Sequence, residues 1–331
     1  MIKLVLDCEG GDRSPSVNVL GAVKALKEKD DLSLILTGKK EDLENELSKL
    51  DYPKDRLTIV DAPEVIDCKE APTLSLFHKR DSSLVKALDI LKNDDDVKGF
   101  VSLGNSGAIL VGGVVKVGKI PGVLRPAFCP LMPSMDGHYV AVCDSGASSE
   151  ATKEELFQFG LMGSLYLEKA FDVKSPRVAL LNIGTEEAKG DTLHKEAYQL
   201  LKGSSLNFIG NMEARDTLSG KYDLIVADGF SGNVLIKSTE GTGLEMLKLL
   251  KRTFFKNLKN KIGALFLKKD IYGIKDFMDY NNYGGAVTLG VKKTMVKGHG
   301  GDNEKHFYHC IIQAYNMEKN NLGPAIEEAL K

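Results

Sequence analysis

The chain has 331 residues, 43% of them hydrophobic and 27% charged, with 44 lysines and arginines against 46 aspartates and glutamates. That length holds one large α/β unit or two lobes, and a chain of this size buries roughly three quarters of its unfolded surface without disulfide staples. The net charge of -2 argues against a nucleic-acid partner, and five cysteines with no CxxC pair point to a reduced, cytoplasmic chain.

In chain order, short β-rich runs alternate with helix-period segments. The start, MIKLVLDCEGGD, has an acid at position 7 and is no signal peptide. IKLVLD (2–7) is predicted as a strand and VNVLGAVKALKEK (17–29) as an amphipathic helix. LSLILT (32–37) reads as a strand and EDLENELSKL (41–50) as a helix. Further strands are predicted at LTIV (57–60), GFVSL (99–103), YVAVC (139–143), RVALLN (177–182) and DLIVA (223–227). Continuous Val/Ile/Leu runs imply strands covered on both faces, so the expected fold is α/β with a doubly wound, mostly parallel sheet. From Gly241 to Asp270 the composition changes: eight lysines and arginines lie among leucines and phenylalanines. This segment is predicted as a long basic amphipathic helix protruding from the sheet, with an apolar tip at Ile262, Leu265, Phe266 and Leu267. No apolar run approaches the ~20 residues of a membrane-spanning helix.

Four glycine-rich turns follow predicted strands: DCEGGD (7–12), GNSGA (104–108), NIGTEEAKGD (182–191) and DGFSGN (228–233). Any one such turn is more often only a turn. Four of them, each with Asn, Ser or Asp beside glycine, point to a shared crevice at the carboxyl ends of the strands, where open α/β sheets bind ligands. Glycine allows close backbone approach, and helix N-termini favour phosphate. The candidate phosphate or substrate contacts are Gly10, Gly11, Asp12, Gly104, Asn105, Ser106, Gly107, Gly184, Gly229, Ser231 and Gly232, with Lys189 as an anion ligand. Asp228 is expected to accept N–H groups rather than touch phosphate, because like charges repel. Neither GxxxxGK[ST] nor GxGxxG is present, which favours a phosphate group over a nucleotide and implies no cofactor. His306 and His309 lie three apart with no third ligand nearby, so no metal is expected. No GxSxG elbow offers a nucleophile, and Cys8 reads as a small buried side chain.

The motifs GGDRSP (10–15), SLGNSGA (102–108), LRPA (124–127), LNIGTEEAKG (181–190), GN with Glu213 (210–213), VADGFSGNVLIKSTEG (226–241), YGGA (283–286) and HG (299–300) resemble, in order and over nearly the full length, the phosphate acyltransferases of bacterial phospholipid synthesis. The resemblance implies a three-layer α/β/α sandwich like that of phosphotransacetylases and isocitrate/isopropylmalate dehydrogenases, forming one catalytic unit over 1–331 with a helical protrusion at about 241–282. It implies transfer of an acyl chain from acyl carrier protein to inorganic phosphate. The acyl phosphate formed would serve a downstream glycerol-phosphate acyltransferase, and the enzyme would be a homodimer peripheral to the inner face of the membrane. It also implies that Lys189 and Asn233 are essential, and it adds His299 to the substrate contacts. The chain departs from the family pattern at Cys8-Glu9, at Ser148 within DSGAS (144–148), where an asparagine is usual, and at Gly301-Asp302. Glu9 is expected to point away from the phosphate. A phosphotransacetylase-like enzyme using coenzyme A thioesters, and an inactive scaffold for membrane or carrier protein, remain open as alternatives. A metal-dependent dehydrogenase of related fold would need an aspartate cluster that the sequence lacks.

Overall fold

The computed structural model describes residues 1–277, 282–299 and 303–331. IKLVLD forms strand β1 (Ile2–Asp7), parallel to β2 (Leu32–Gly38), which pairs in turn with β3 (Leu57–Asp61). On its other side β1 pairs in parallel with β4 (Val97–Ser102). The remaining strands are β5 (Ala127–Cys129), β6 (Leu131–Pro133), β7 (Tyr139–Cys143), β8 (Val178–Asn182), β9 (Phe208–Glu213), β10 (Leu224–Val226), β11 (Ala286–Leu289) and β12 (Thr294–Lys297). They build a seven-stranded sheet, β3-β2-β1-β4-β12-β11-β5, and a five-stranded sheet, β6-β7-β10-β8-β9. Both are mostly parallel and carry helices on both sides, as the continuous apolar runs require. Successive residues of a strand face opposite ways. Accordingly Leu4 and Leu6 enter one core, beside the helices Ser16–Glu28 and Glu304–Lys319, while Val5 enters another, beside the helix Ser83–Asn93.

The two sheets meet at a ribbon the sequence did not announce. β5 and β6 are one extended segment interrupted only by Pro130, and β7 pairs antiparallel along it. That pairing continues past the proline through Val142 N–H to Pro130 O (3.2 Å) and Ser145 N–H to Phe128 O (3.1 Å). On the ribbon's other side β11 is antiparallel to both β5 and β12. Two reversals plus a third therefore make β7, β10, β8 and β9 run opposite to β1–β4 and β12. The carboxyl ends of the two halves lie at opposite edges.

The basic segment also differs from expectation. Instead of one helix over 241–270, a helix runs Gly229–Phe254 and is followed by Leu258–Phe266 and Lys268–Phe277. The first helix starts twelve residues early because Asp228 caps it, its Oδ1 accepting Ser231 N–H at 2.9 Å. Asn257 starts the second in the same way, accepting Asn260 N–H at 2.8 Å. Residues 278–281, within the expected protrusion, lie outside the described residues. Among the described residues no helix is long and apolar enough to cross a membrane.

The glycines of the first helix divide by their surroundings. A Cβ on Gly232 would sit 2.0 Å from Asp144 O, whereas one on Gly241 meets nothing within 4 Å. In equilibrium urea unfolding, Gly232→Ala is expected to lose about 1–3 kcal/mol by overpacking. Gly241→Ala should gain about 0.5–1 kcal/mol from helix propensity.

Candidate active site

β10 lies between β7 and β8, so three connections leave one carboxyl edge side by side: the loop 144–148, the start of the helix Gly229–Phe254, and the loop 183–191. At strand spacing they emerge within about 10 Å of one another. VADGFSGN is thus not a free loop but a strand end, a cap and a first helical turn. Gly229 and Gly232 are buried against protein: a Cβ on Gly229 would lie 2.0 Å from Ser148 O, matching the clash at Gly232. Their small size serves the docking of helix on loop. Ser231 donates its N–H to Asp228, and the aspartate accepts as the sequence anticipated. Asn233, half-buried, lies against Gly146, whose φ is +131° and whose Cβ position is 3.6 Å from the amide carbon.

Lys189 is held by its main chain. Asn182 Nδ2 donates to Lys189 O at 3.2 Å, and Lys189 N–H donates to Glu186 O at 3.1 Å. Asn211 Nδ2 donates to Glu186 O at 2.9 Å. The lysine stem crosses Gly184, where a Cβ would be 3.0 Å from Lys189 Cγ, so glycine there makes room for it. The ammonium lies 4.0 Å from the Glu186 carboxylate with half of the side chain in solvent. A long, exposed pair of this kind holds its members weakly and leaves the charge free for an anion. Asn182 and Asn211 were not singled out from sequence as struts. Their only signal is an asparagine at or near the end of an apolar strand.

The other predicted contacts gather at the carboxyl ends of β1, β4 and β12, in the half whose strands run the opposite way. Here Gly10 packs on Gly104, too close for a side chain of its own: a Cβ on Gly10 would be 2.6 Å from Gly104 N. Gly107 likewise packs on Pro72, at 2.5 Å from Cβ to Cγ. Asn105 spends its side chain on protein, accepting Ala108 N–H at 3.0 Å and donating toward the carbonyls of Asp67, Cys68 and Glu70. It is a strut rather than a substrate contact. Gly11 (φ +101°), exposed Asp12 and exposed Ser106 line the same edge. His299 is brought there by Gly298, whose N–H donates to Ser102 O at 2.9 Å, and its own N–H donates to His306 Nε2 at 3.2 Å. The glycines and aspartate at 300–302 lie outside the described residues.

One residue organises this edge that sequence reading passed over. Asp7, wholly buried, accepts Ser83 Oγ–H at 2.6 Å and Ser102 Oγ–H at 2.7 Å. Burial pushes its carboxyl above the usual range, with the two hydroxyls pulling it back. Glu9 turns from the turn's interior to accept Lys39 N–H at 2.9 Å. Burial holds Cys8 and Cys143 well above the ordinary thiol range, so neither presents a thiolate. His309 packs its ring on Tyr308, and burial, ahead of the neighbouring lysines, takes its pKa down to about 4. Among the described residues no three His, Cys, Asp or Glu side chains come together as a metal site.

An apolar groove of about 830 Å³ begins beside the first edge. Leu181 and Ser231 line it there, and Val234, Ser238, Thr242, Met246 and Leu250 carry it along the helix at four-residue spacing to Ile274 of the helix Lys268–Phe277. At the end of the helix Leu258–Phe266, Leu265 and Phe266 are 70% and 86% exposed.

The architecture is that of the phosphotransacetylases. The phosphotransacetylase from Streptococcus pyogenes superposes with a TM-score of 0.62 over 96% of this chain and 94% of its own, at 18% identity. Residues 2–323 match the family described as Fatty acid synthesis protein. The phosphate acyltransferase of Alkaliphilus oremlandii is 44% identical over 329 residues, spanning 99% of this chain and 97% of that protein. That of Clostridium tetani is 41% identical, spanning 99% and 98%. The chain belongs to the phosphate acyltransferase family.

Proposed function

We propose that this enzyme transfers an acyl chain from the thioester of acyl carrier protein to inorganic phosphate, using the β7–β10–β8 edge. The observation that carries the proposal is the continuity of that edge with the apolar groove. Ser231 and Val234, on either side of Asn233 in the helix, line the groove's near end, and Leu181 leads into the Lys189 loop. An acyl chain lying in the groove would set its carbonyl where a cation and an amide meet.

The chemistry balances without a protein nucleophile. An oxygen of hydrogen phosphate attacks the thioester carbonyl, the carbon–oxygen bond forms, and the carbon–sulfur bond breaks. The proton of hydrogen phosphate passes to the departing thiolate, giving acyl phosphate and the carrier thiol. The half-exposed ammonium of Lys189 offsets the charge of the incoming dianion. The Asn233 amide, beside Gly146, would donate to the oxyanion. Holding phosphate beside the carbonyl supplies the rest through proximity.

The end of the helix Gly229–Phe254 and the two helices after it fit the same reading. Lys248, Lys251, Arg252 and Lys256 offer positive charge to an acidic carrier protein. The tip residues Ile262, Leu265, Phe266 and Leu267, all at least half exposed or nearly so, would dip into the surface of an anionic membrane, with lysines at the headgroups. There an amphiphilic acyl phosphate passes to a glycerol-phosphate acyltransferase. A second copy of the chain is the partner proposed for the exposed apolar stem residues Leu244 and Leu249.

With a long-chain acyl carrier protein and phosphate, the wild type should form acyl phosphate, and coenzyme A thioesters should be much poorer donors. Asn233→Ala is expected to lose about 10²–10³ in kcat, the usual loss for one oxyanion donor, and Lys189→Ala a similar factor. Wild-type rates in both variants would overturn the assignment, and equal use of coenzyme A thioesters would overturn the donor. In flotation with anionic vesicles, the double variant Leu265→Glu, Phe266→Glu should remain in the protein fraction; binding equal to wild type would remove the membrane role of the tip.

A further inference from the structure

Directly behind Asn233 lies a carboxylate that the transfer chemistry does not use. Asp144 follows β7 and is completely buried. Its Oδ1 accepts the N–H groups of Phe128 (2.9 Å), Ser145 (2.6 Å), Gly146 (3.2 Å) and Ala147 (3.1 Å). Its Oδ2 accepts the N–H groups of Ala147 (3.1 Å) and Ser148 (3.0 Å) and the hydroxyl of Ser148 (3.1 Å). Successive amides converging in this way form a concavity that ordinarily binds an external anion. Here the chain fills it with its own carboxylate. No face of Asp144 is left for a substrate, so it is not the ligand that its place in DSGAS invites.

We propose that Asp144 is a positioning residue for acyl transfer: it gathers loop 144–148 into a rigid seat that fixes the first turn of the helix Gly229–Phe254 and so aims Asn233. The proposal rests on the functional reading above for the meaning of Asn233, and on geometry for the seat. Three contacts connect the two. Asp144 O lies where a Cβ of Gly232 would be (2.0 Å), and Ser148 O where a Cβ of Gly229 would be (2.0 Å). Gly146 lies against the Asn233 side chain, its Cβ position 3.6 Å from Cγ and 3.9 Å from Nδ2. Loop and helix therefore interlock backbone to backbone, with no flexible side chain between them to absorb a shift. Losing the carboxylate sets the amides of residues 145–148 free to turn, and the carbonyl at 144 and Gly146 move with them. A displacement of about 1 Å at a reacting group costs on the order of a hundredfold in rate.

Asp144→Asn places an NH2 group among N–H donors and should lower kcat about a hundredfold while leaving the KM for phosphate within about twofold. Ser148→Ala removes only the hydroxyl and should lower kcat about three- to tenfold. Ser148→Asn, which keeps a donor in reach of Oδ2, should retain near wild-type kcat. Arg177→Lys serves as the stability control: Arg177 binds Asp223 through Nε (2.9 Å) and Nη2 (2.7 Å) at the far end of β8, and its loss should lower Tm without lowering kcat. Hydrogen exchange gives a reading independent of turnover. Amides 229–233 should exchange at least tenfold faster in Asp144→Asn and measurably faster in Ser148→Ala, beyond any change in Arg177→Lys. Should Asp144→Asn fail to fold, Ser148→Ala against Ser148→Asn decides. Activity losses no larger than those of Arg177→Lys at matched Tm would overturn the proposal. So would a raised KM for phosphate with intact kcat, which would make Asp144 a substrate contact. If the wild type makes no acyl phosphate, the functional reading falls on its own, and exchange at 229–233 still decides the seat.

Discussion

A carboxylate taken fully out of water must find donors, and at the edge of β7 and β10 the backbone supplies them. An ion buried in a protein costs several kcal/mol in lost hydration. Hydrogen bonds to a charged group return about 1.5–3 kcal/mol each, so the five amides and one hydroxyl on Asp144 together offset part of that cost. The group's carboxyl still sits above its ordinary range because burial outweighs them. One of the donors, Phe128 N–H, belongs to the ribbon that joins the two sheets. A single side chain therefore connects the reversal of strand direction to the loop that seats the helix carrying Asn233. Asp7 plays the matching part in the other half, drawing Ser83 and Ser102 to the end of β1. Each half of the molecule ends a central apolar strand in one buried aspartate, and the turns at each edge are arranged around it.

The strands were legible because nothing competed with their pattern. IKLVLD and YVAVC became β1 and β7 at the expected residues, and RVALLN became β8 one residue shorter. Runs buried on both faces carry their own signal. β5, β6, β11 and β12 have three or four residues each and take their identity from partners far away in sequence, so no local pattern could announce them. The opposed strand directions of the two halves follow from those short strands, so they too had no local signal. The helix start at Gly229 was hidden for a different reason. Glycines ordinarily argue against a helix, but here two of them are the means by which its first turn docks on loop 144–148, and Asp228 caps it. The expectation for Lys189 and Asn233 rests on family resemblance more than on local physics. The asparagines that brace the lysine loop, and Ser83, which reaches Asp7 across 76 residues, become visible only once the chain has folded.

Those braces bear on how the enzyme works. The catalytic pair proposed here stands on two different connections, one rigid and one strapped. Asn233 rides a helix locked to a loop, which suits a group that must meet a small developing charge at a defined point. Lys189 rides a loop held by main-chain hydrogen bonds and extends a flexible cation into solvent, which suits capture of a mobile dianion. From that edge the groove runs along the same helix toward the exposed helices that follow it, so one element carries Asn233, much of the groove lining and the base of the apolar tip. Site and surface are thereby joined by a single helix rather than by a chain of contacts.

If phosphate itself is the nucleophile, the protein never carries the acyl group. Intact-mass spectrometry of the enzyme mixed with a long-chain acyl thioester, first without phosphate and then with it, tests this most directly. Without phosphate the enzyme's mass should remain unchanged, and adding phosphate should yield acyl phosphate with no lag or burst that tracks an acylated protein. An acyl adduct that forms in the absence of phosphate and discharges when phosphate is added would contradict the claim.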